Sequence, residues 1–233
     1  MRLYPGLLIL FASSLAFAED PVLRGGNILA CETYSFRDLI GAGKLDLIGV
    51  PRFYKEQGIK GISYNDLFFK NFDDAYLDQI VAAVKKADRI VTCYVIEGNL
   101  AGADPARRQR QIDLDKQKLR VAHRLGAPIV RINIGATGRQ ENADDTVGVE
   151  RVIEAFKELV PLARELNIKI SIENHGGVSK TASNIVKIIE ATDSKWVGAL
   201  VDFGNFPPEV RYDEIAKVAS HAITTHVKIN EFD

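Results

Sequence analysis

Seven short runs rich in Ile and Val, at 27–34, 59–64, 89–96, 129–135, 168–174, 196–203 and 222–229, alternate with longer stretches of helical periodicity. This alternation constrains the fold more than any other feature, because strands separated by helices pair in parallel and need a crossover between neighbours. The helical stretches repeat apolar residues three and four apart, as in Leu77, Ile80, Val81 and Val84, or Ile153, Phe156, Leu159, Val160 and Leu162, with charged residues opposite. Three joints share one design: Gln57-Gly58-Ile59, Leu125-Gly126-Ala127 and Leu166-Asn167-Ile168 each put Gly or Asn between a helix and a strand. Those residues suit the left-handed cap that turns a helix sharply into a strand. No Pro/Ser-rich linker interrupts the series, so residues 19–233 read as one domain.

Parallel strands and helices build either an open doubly wound sheet or a closed barrel. Two observations favour the barrel. No Gly-rich phosphate fingerprint follows the first run, and the polar residues suited to chemistry stand at the C-terminal ends of several runs, where a (β/α)8 barrel carries its site. The expected fold is therefore an α/β (β/α)8 TIM barrel with about seven of its eight strand–helix units in this chain. A seven-unit barrel leaves two strand edges open, which a homo-oligomer or a further unit would cover.

Composition narrows the partners. Lys and Arg number 30 against 31 Asp and Glu, which lacks the broad positive field of a nucleic-acid-binding surface. The segment 1–18 has Arg2, an apolar run from Leu7 to Leu15 and then Ala16-Phe17-Ala18 before Glu19, the pattern of a cleavable secretory signal. That run falls well short of the ~20 apolar residues of a spanning helix. Export to the periplasm or medium is expected, with no stable membrane span after cleavage. The two cysteines, Cys31 and Cys93, fall in runs with another run between them, too far apart for the ~7 Å Cα limit of a disulfide.

The strongest chemical segment is Ser171-Ile172-Glu173-Asn174-His175-Gly176-Gly177. Ile170 and Ile172 share one face, so Glu173 takes the other, where a buried carboxylate needs a cation or a partner such as Arg131 on the neighbouring run. Asp202 ends the next run in Val201-Asp202-Phe203-Gly204-Asn205, either as a ligand or as a turn cap. His226 follows in Thr225-His226-Val227-Lys228. An acid, an acid and an imidazole at three consecutive parallel strand ends face one point, and this set suits Mn²⁺, Mg²⁺, Co²⁺, Zn²⁺ or Fe²⁺ without choosing among them.

The segments SIENHGG, VGALVDFGN and THVKI resemble the fifth-, sixth- and seventh-strand motifs of xylose-isomerase-like barrels, the sugar phosphate isomerase/epimerase group among them; CETYSFRDL and EQGIKGISY fit the same pattern. The resemblance implies metal ligands at Glu173, Asp202 and His226 and a fourth glutamate on an eighth strand, for which Glu231 lies too early. It implies an isomerase or epimerase that removes a proton beside a carbonyl of a sugar or keto-sugar, through an enediolate, with Glu173 and Lys228 as catalytic groups. A lyase or dehydratase on the same site, or a non-catalytic sugar-binding scaffold, are the alternatives. A zinc endonuclease would need more than the four histidines present. Substrate contacts are expected from His175, Asn205, Tyr34, Asn133 and Glu97. His123 and His221 are expected to be structural.

Overall fold

The structure, a computed structural model, describes residues 22–23, 27–136, 146–192 and 195–228. Seven parallel strands form one sheet in sequence order: β1 (Ala30–Glu32), β2 (Gly61–Asn65), β3 (Ile90–Ile96), β4 (Ile129–Ile132), β5 (Lys169–Glu173), β6 (Val197–Asp202) and β7 (Ala222–His226). Helices follow them: α1 (Arg37–Gly41) and α2 (Val50–Glu56) after β1, then α3 (Asp74–Ala87), α4 (Pro105–Leu125), α5 (Thr146–Glu165), α6 (Ala182–Ala191) and α7 (Arg211–Val218) after β2 to β6. From α2 to α7 each helix packs on the next. This is a (β/α)8 TIM barrel with seven of its eight strands among the described residues. The segment 1–18, expected as a leader, lies outside the described residues, and so does Glu231.

Sequence dictates both boundaries of a unit. Before α4, the Asp104 carboxylate accepts the Ala106 and Arg107 amides at 2.9 and 3.1 Å, and Pro105 fills the first turn, where its missing N–H costs nothing. Gly126, at φ 77°, ends the helix, as Gly58 and Asn167 end theirs at φ 71° and 56°. The three joints read from the sequence thus adopt the left-handed conformation expected of them.

Alternation along the strands sorts the side chains into two layers. Ile170 and Ile172 on β5, with Ile132, Val130, Tyr94 and Ile62 on its neighbours, are buried in the hydrophobic core that also takes Phe156, Leu159, Leu119 and Ile185 from the helices. Full burial of one such side chain stabilises by about 1.5–3 kcal/mol. The alternate residues include the polar groups of the barrel mouth, with apolar Val95 and Leu200 among them. Strand pairing sets Glu32 beside Ser63 and Arg131 beside Ser171, and Asp202 beside His226.

Three runs are shorter than expected by three residues or more. The 27–34 run pairs in the barrel only over Ala30–Glu32, because the Asn65 amide is donated to Thr33 Oγ1 at 2.9 Å instead of to the backbone, and a 3-10 turn carries Tyr34 out of the sheet. Its first residues form a short antiparallel pair, Val22–Leu23 with Asn27–Ile28. The 129–135 run ends at Ile132, where Asn133 Oδ1 accepts the Gly135 amide at 3.1 Å. The 222–229 run is regular over Ala222–His226. Cys31 and Cys93 are free, on β1 and β3 with β2 between them.

Candidate metal and sugar site

Glu173 is the last residue of β5 and only 4% exposed. Its Oε2 accepts from Arg131 Nη2, while Oε1 accepts from Asn205 Nδ2 at 3.3 Å and faces His226 Nδ1 at 3.3 Å. Burial alone would raise its pKa. The His226 contact and the Arg131 charge outweigh that and hold the carboxyl well below the usual carboxylate range. Glu173 is therefore an anion at any physiological pH.

Asp202 ends β6 and is fully buried. Its Oδ1 accepts the Gly204 amide at 2.8 Å, the expected turn cap. Its Oδ2 has no aligned hydrogen-bond donor among the described residues; Lys228 Nζ lies 3.0 Å away as an ion-pair neighbour. Burial pushes the Asp202 carboxyl up, against the pull of the Gly204 amide and the Lys228 ammonium. Asn174 clamps the Asp202 backbone on both sides, accepting its N–H at 2.8 Å and donating to its carbonyl at 2.9 Å. A turn cap and a ligand oxygen are thus two ends of one carboxylate.

One ligand atom each from Glu173, Asp202 and His226 lies within 4.8 Å of the others. Ligands on an ion held at about 2.1 Å stand about 3 Å apart when adjacent and about 4 Å apart when opposite, so small side-chain rotations close the set. Asp202 Oδ2 is a buried carboxylate oxygen whose counter-charge is the Lys228 ammonium at 3.0 Å, so an ion entering the site would share or displace that ammonium. Charge points the same way: Glu32, Glu97, Glu173 and Asp202 line the mouth against two permanent cations, Arg131 and Lys228. The donor set fits a divalent ion that accepts oxygen and imidazole nitrogen.

Around this centre runs a second set of bonds. Arg131, 2% exposed, also donates Nη1 to Glu97 Oε1 at 2.8 Å, and Asn133 Nδ2 donates to Glu97 Oε2 at 2.7 Å. The Glu97 amide in turn is donated to Asp66 Oδ1 at 3.2 Å, and Asp66 Oδ2 pairs with Lys118 of α4. On the opposite side Glu32, at the end of β1, accepts from Asn65 Nδ2 at 2.9 Å through Oε1 and brings Oε2 to 3.9 Å from His226 Nε2.

The structure brings Glu173, Asp202, His226, Asn205 and Lys228 together, with Glu97 and Asn133 beside them across Arg131. Lys228 ion-pairs with Asp202 and donates to Asn205 Oδ1 at 2.7 Å, because Asn205 and Arg131 already fill the Glu173 oxygens. Tyr34 is 46% exposed on the rim, tilted against Phe68 at 6.1 Å with the Arg37 guanidinium 5.1 Å from its ring centre. His175 is exposed, and its backbone amide is held by Ser179 Oγ at 3.1 Å. His123 is exposed on α4 against the Leu166 carbonyl, and His221 precedes β7 at the far end of the barrel. Sequence reading missed Glu32, Asn65 and the clamp made by Asn174. Alternation sets Asn65 two after Ser63, but Glu32 follows Ala30 and Asn174 follows Ile172 at the same spacing, so their roles emerge only from strand register.

A family model for the xylose isomerase-like TIM barrel matches residues 51–233. Among curated proteins, the C-glycoside deglycosidase alpha subunit of Arthrobacter globiformis is 25% identical over 195 residues, 77% of this chain and 48% of that protein. The chain thus spans about half the length of this curated relative. Among solved structures, a D-tagatose 3-epimerase-like protein superposes with a TM-score of 0.70 at 15% identity, over 86% of this chain and 75% of that one. A xylose isomerase-like TIM barrel protein from Mycobacterium smegmatis, in complex with magnesium, gives a TM-score of 0.68 at 19% identity, over 86% and 74%. At these identities the solved structures share the fold.

Proposed function

Because this chain belongs to the xylose isomerase-like TIM barrel family, we propose that it is a divalent-metal-dependent isomerase or epimerase acting on a sugar or keto-sugar. The observation that carries this reading is the convergence of Glu173, Asp202 and His226 within 4.8 Å. These three residues would hold the ion. When bound, a divalent ion polarises a carbonyl and acidifies the adjacent C–H.

The chain's own groups divide the remaining tasks. Glu173 is anionic throughout the working pH range, which suits a ligand and makes it a weak base; as the proton acceptor it depends on that acidification. Lys228 has its ammonium on Asp202 and Asn205 and can turn to an oxygen that gains negative charge during proton transfer. Asn133 and the Glu97 carboxylate offer a paired donor and acceptor to sugar hydroxyls, with His175 on the exposed side. The partly exposed Tyr34 ring suits the apolar face of a sugar.

The substrate proposed is unphosphorylated, since no Gly-rich phosphate fingerprint follows the first run and the 1–18 leader read from the sequence implies export to the periplasm or medium. No helix among the described residues is long and apolar enough to cross a membrane. The name of the Arthrobacter relative, a deglycosidase subunit, favours a second reading in which the same proton abstraction expels a group from the sugar. The two are separated by incubating purified protein with keto-sugars and a 3-keto-glycoside in D2O with Mn²⁺, followed by NMR. Deuterium entry beside the carbonyl with the carbon skeleton intact supports the isomerase or epimerase, release of aglycone supports the lyase, and neither, in protein that binds Mn²⁺, sinks both.

A further inference from the structure

We infer that Glu32 is the positioning carboxylate of His226: it holds the imidazole in the tautomer that leaves Nδ1 free for the metal. The inference rests on the metal-site reading above and goes beyond it, since neither the resemblance nor the ligand set assigns Glu32 a role. His226 stands between two carboxylates, with Nδ1 3.3 Å from Glu173 Oε1 and Nε2 3.9 Å from Glu32 Oε2. Glu173 belongs to the ligand set, so Nδ1 is the nitrogen on the ligand side of the ring. A neutral imidazole that gives Nδ1 to a cation carries its proton on Nε2, where Glu32 is the acceptor facing it.

Glu32 is built for that task. Its other oxygen is fixed by Asn65 Nδ2 at 2.9 Å, and Asn65 is itself fixed by donating its amide to Thr33 Oγ1 at 2.9 Å and accepting the Leu67 amide at 3.0 Å. The carboxylate has one oxygen spoken for and one turned to His226. The 3.9 Å gap exceeds a hydrogen bond by about 1 Å, a distance that a small rotation of the imidazole toward β1 removes. Metal-ligating histidines generally donate their second N–H to such a group, and its loss lowers metal affinity about 10- to 100-fold. Glu32 lies on β1 and His226 on β7, the two outermost strands of the sheet, so the contact also links the site across the mouth of the barrel.

The test titrates Mn²⁺ into the full chain and its Glu32→Ala and Glu32→Gln variants, with thermal melts to establish folding, and records the 15N histidine NMR of the Mg²⁺-loaded proteins. The expected result is an affinity loss of about 10- to 100-fold for Glu32→Ala and a loss also for Glu32→Gln, whose single amide oxygen is held by Asn65 Nδ2 and which then turns an NH2 donor toward Nε2. The wild type should show its His226 proton on Nε2, and Glu32→Ala a mixture. Equal Mn²⁺ affinity in folded Glu32→Ala, or a His226 proton on Nδ1 in the loaded wild type, overturns the inference alone. A folded wild type that takes up no Mn²⁺ overturns it together with the metal reading.

Discussion

At the residue scale, Arg131 shows how closely the site and the stability of the barrel are joined. Its guanidinium is shared by Glu97 and Glu173; removing it would leave Glu97 without a charge partner among the described residues and Glu173 with His226 alone. Breaking a buried pair from one side costs about 3–5 kcal/mol, so Arg131→Met should lose that much in urea unfolding; a loss under about 1 kcal/mol would show that the pair is not a structural element. Asp115 makes the opposite case. Fully buried, with Oδ1 accepting from Gln111 and Oδ2 without a hydrogen bond among the described residues, its carboxyl is pushed up to about 7 by burial. The folded state then binds a proton more readily than the unfolded one, so this residue's contribution is fully present below about pH 4 and is lost as pH rises to about 7. Asp115→Asn, which keeps an acceptor for Gln111, should gain stability relative to wild type across that window and hold the gain above it. Melts at pH 4.5 and 8 that show the same difference would contradict the assignment.

At the element scale, the strands and helices were legible because hydrophobic period and joint chemistry agreed: each Gly or Asn expected to cap a helix does so with φ between 56° and 77°. Strand ends were less legible, since Thr33 and Asn133 end their ladders with side-chain bonds that no periodicity encodes. The same division holds for the site. Glu173, Asp202 and His226 could be read because an acid or imidazole closing an apolar strand stands out. Glu32 and Asn65 could not, because their meaning depends on which strands become neighbours and in what register, as does the preference of Lys228 for Asp202. The loop after β5 gives a direct test of how elements support the site. Gly177, at φ 54°, packs so that an added Cβ would overlap the carbonyl oxygen of Gly135 in the loop after β4, the same oxygen that accepts the Val178 amide at 3.0 Å. Gly177→Ala should cost about 1–3 kcal/mol, and it should weaken Mn²⁺ binding because the displaced loop begins directly after Glu173. Unchanged denaturation and metal affinity would show that the two loops do not need this close approach.

At the scale of the whole molecule, the chain is nearly neutral, with 30 basic and 31 acidic residues, yet its barrel mouth concentrates carboxylates in excess of fixed cations. That imbalance opposes folding until a cation relieves it, and the ligands it would engage come from three separate strands. Metal should therefore stabilise the entire barrel. Mn²⁺ at about one hundred times its Kd adds about 2.7 kcal/mol, which for a chain of this size raises Tm by about 5–10 °C; an unchanged Tm would show that the ion does not bind the folded state. The most direct measurement is the divalent metal content of purified protein by elemental analysis, with a Glu173→Ala, Asp202→Ala double variant prepared alongside. We expect near one equivalent in the wild type and loss of it in the variant. A folded wild type without metal, and unable to take it up on dialysis against Mn²⁺, Mg²⁺, Co²⁺, Zn²⁺ or Fe²⁺, would contradict the account at its centre.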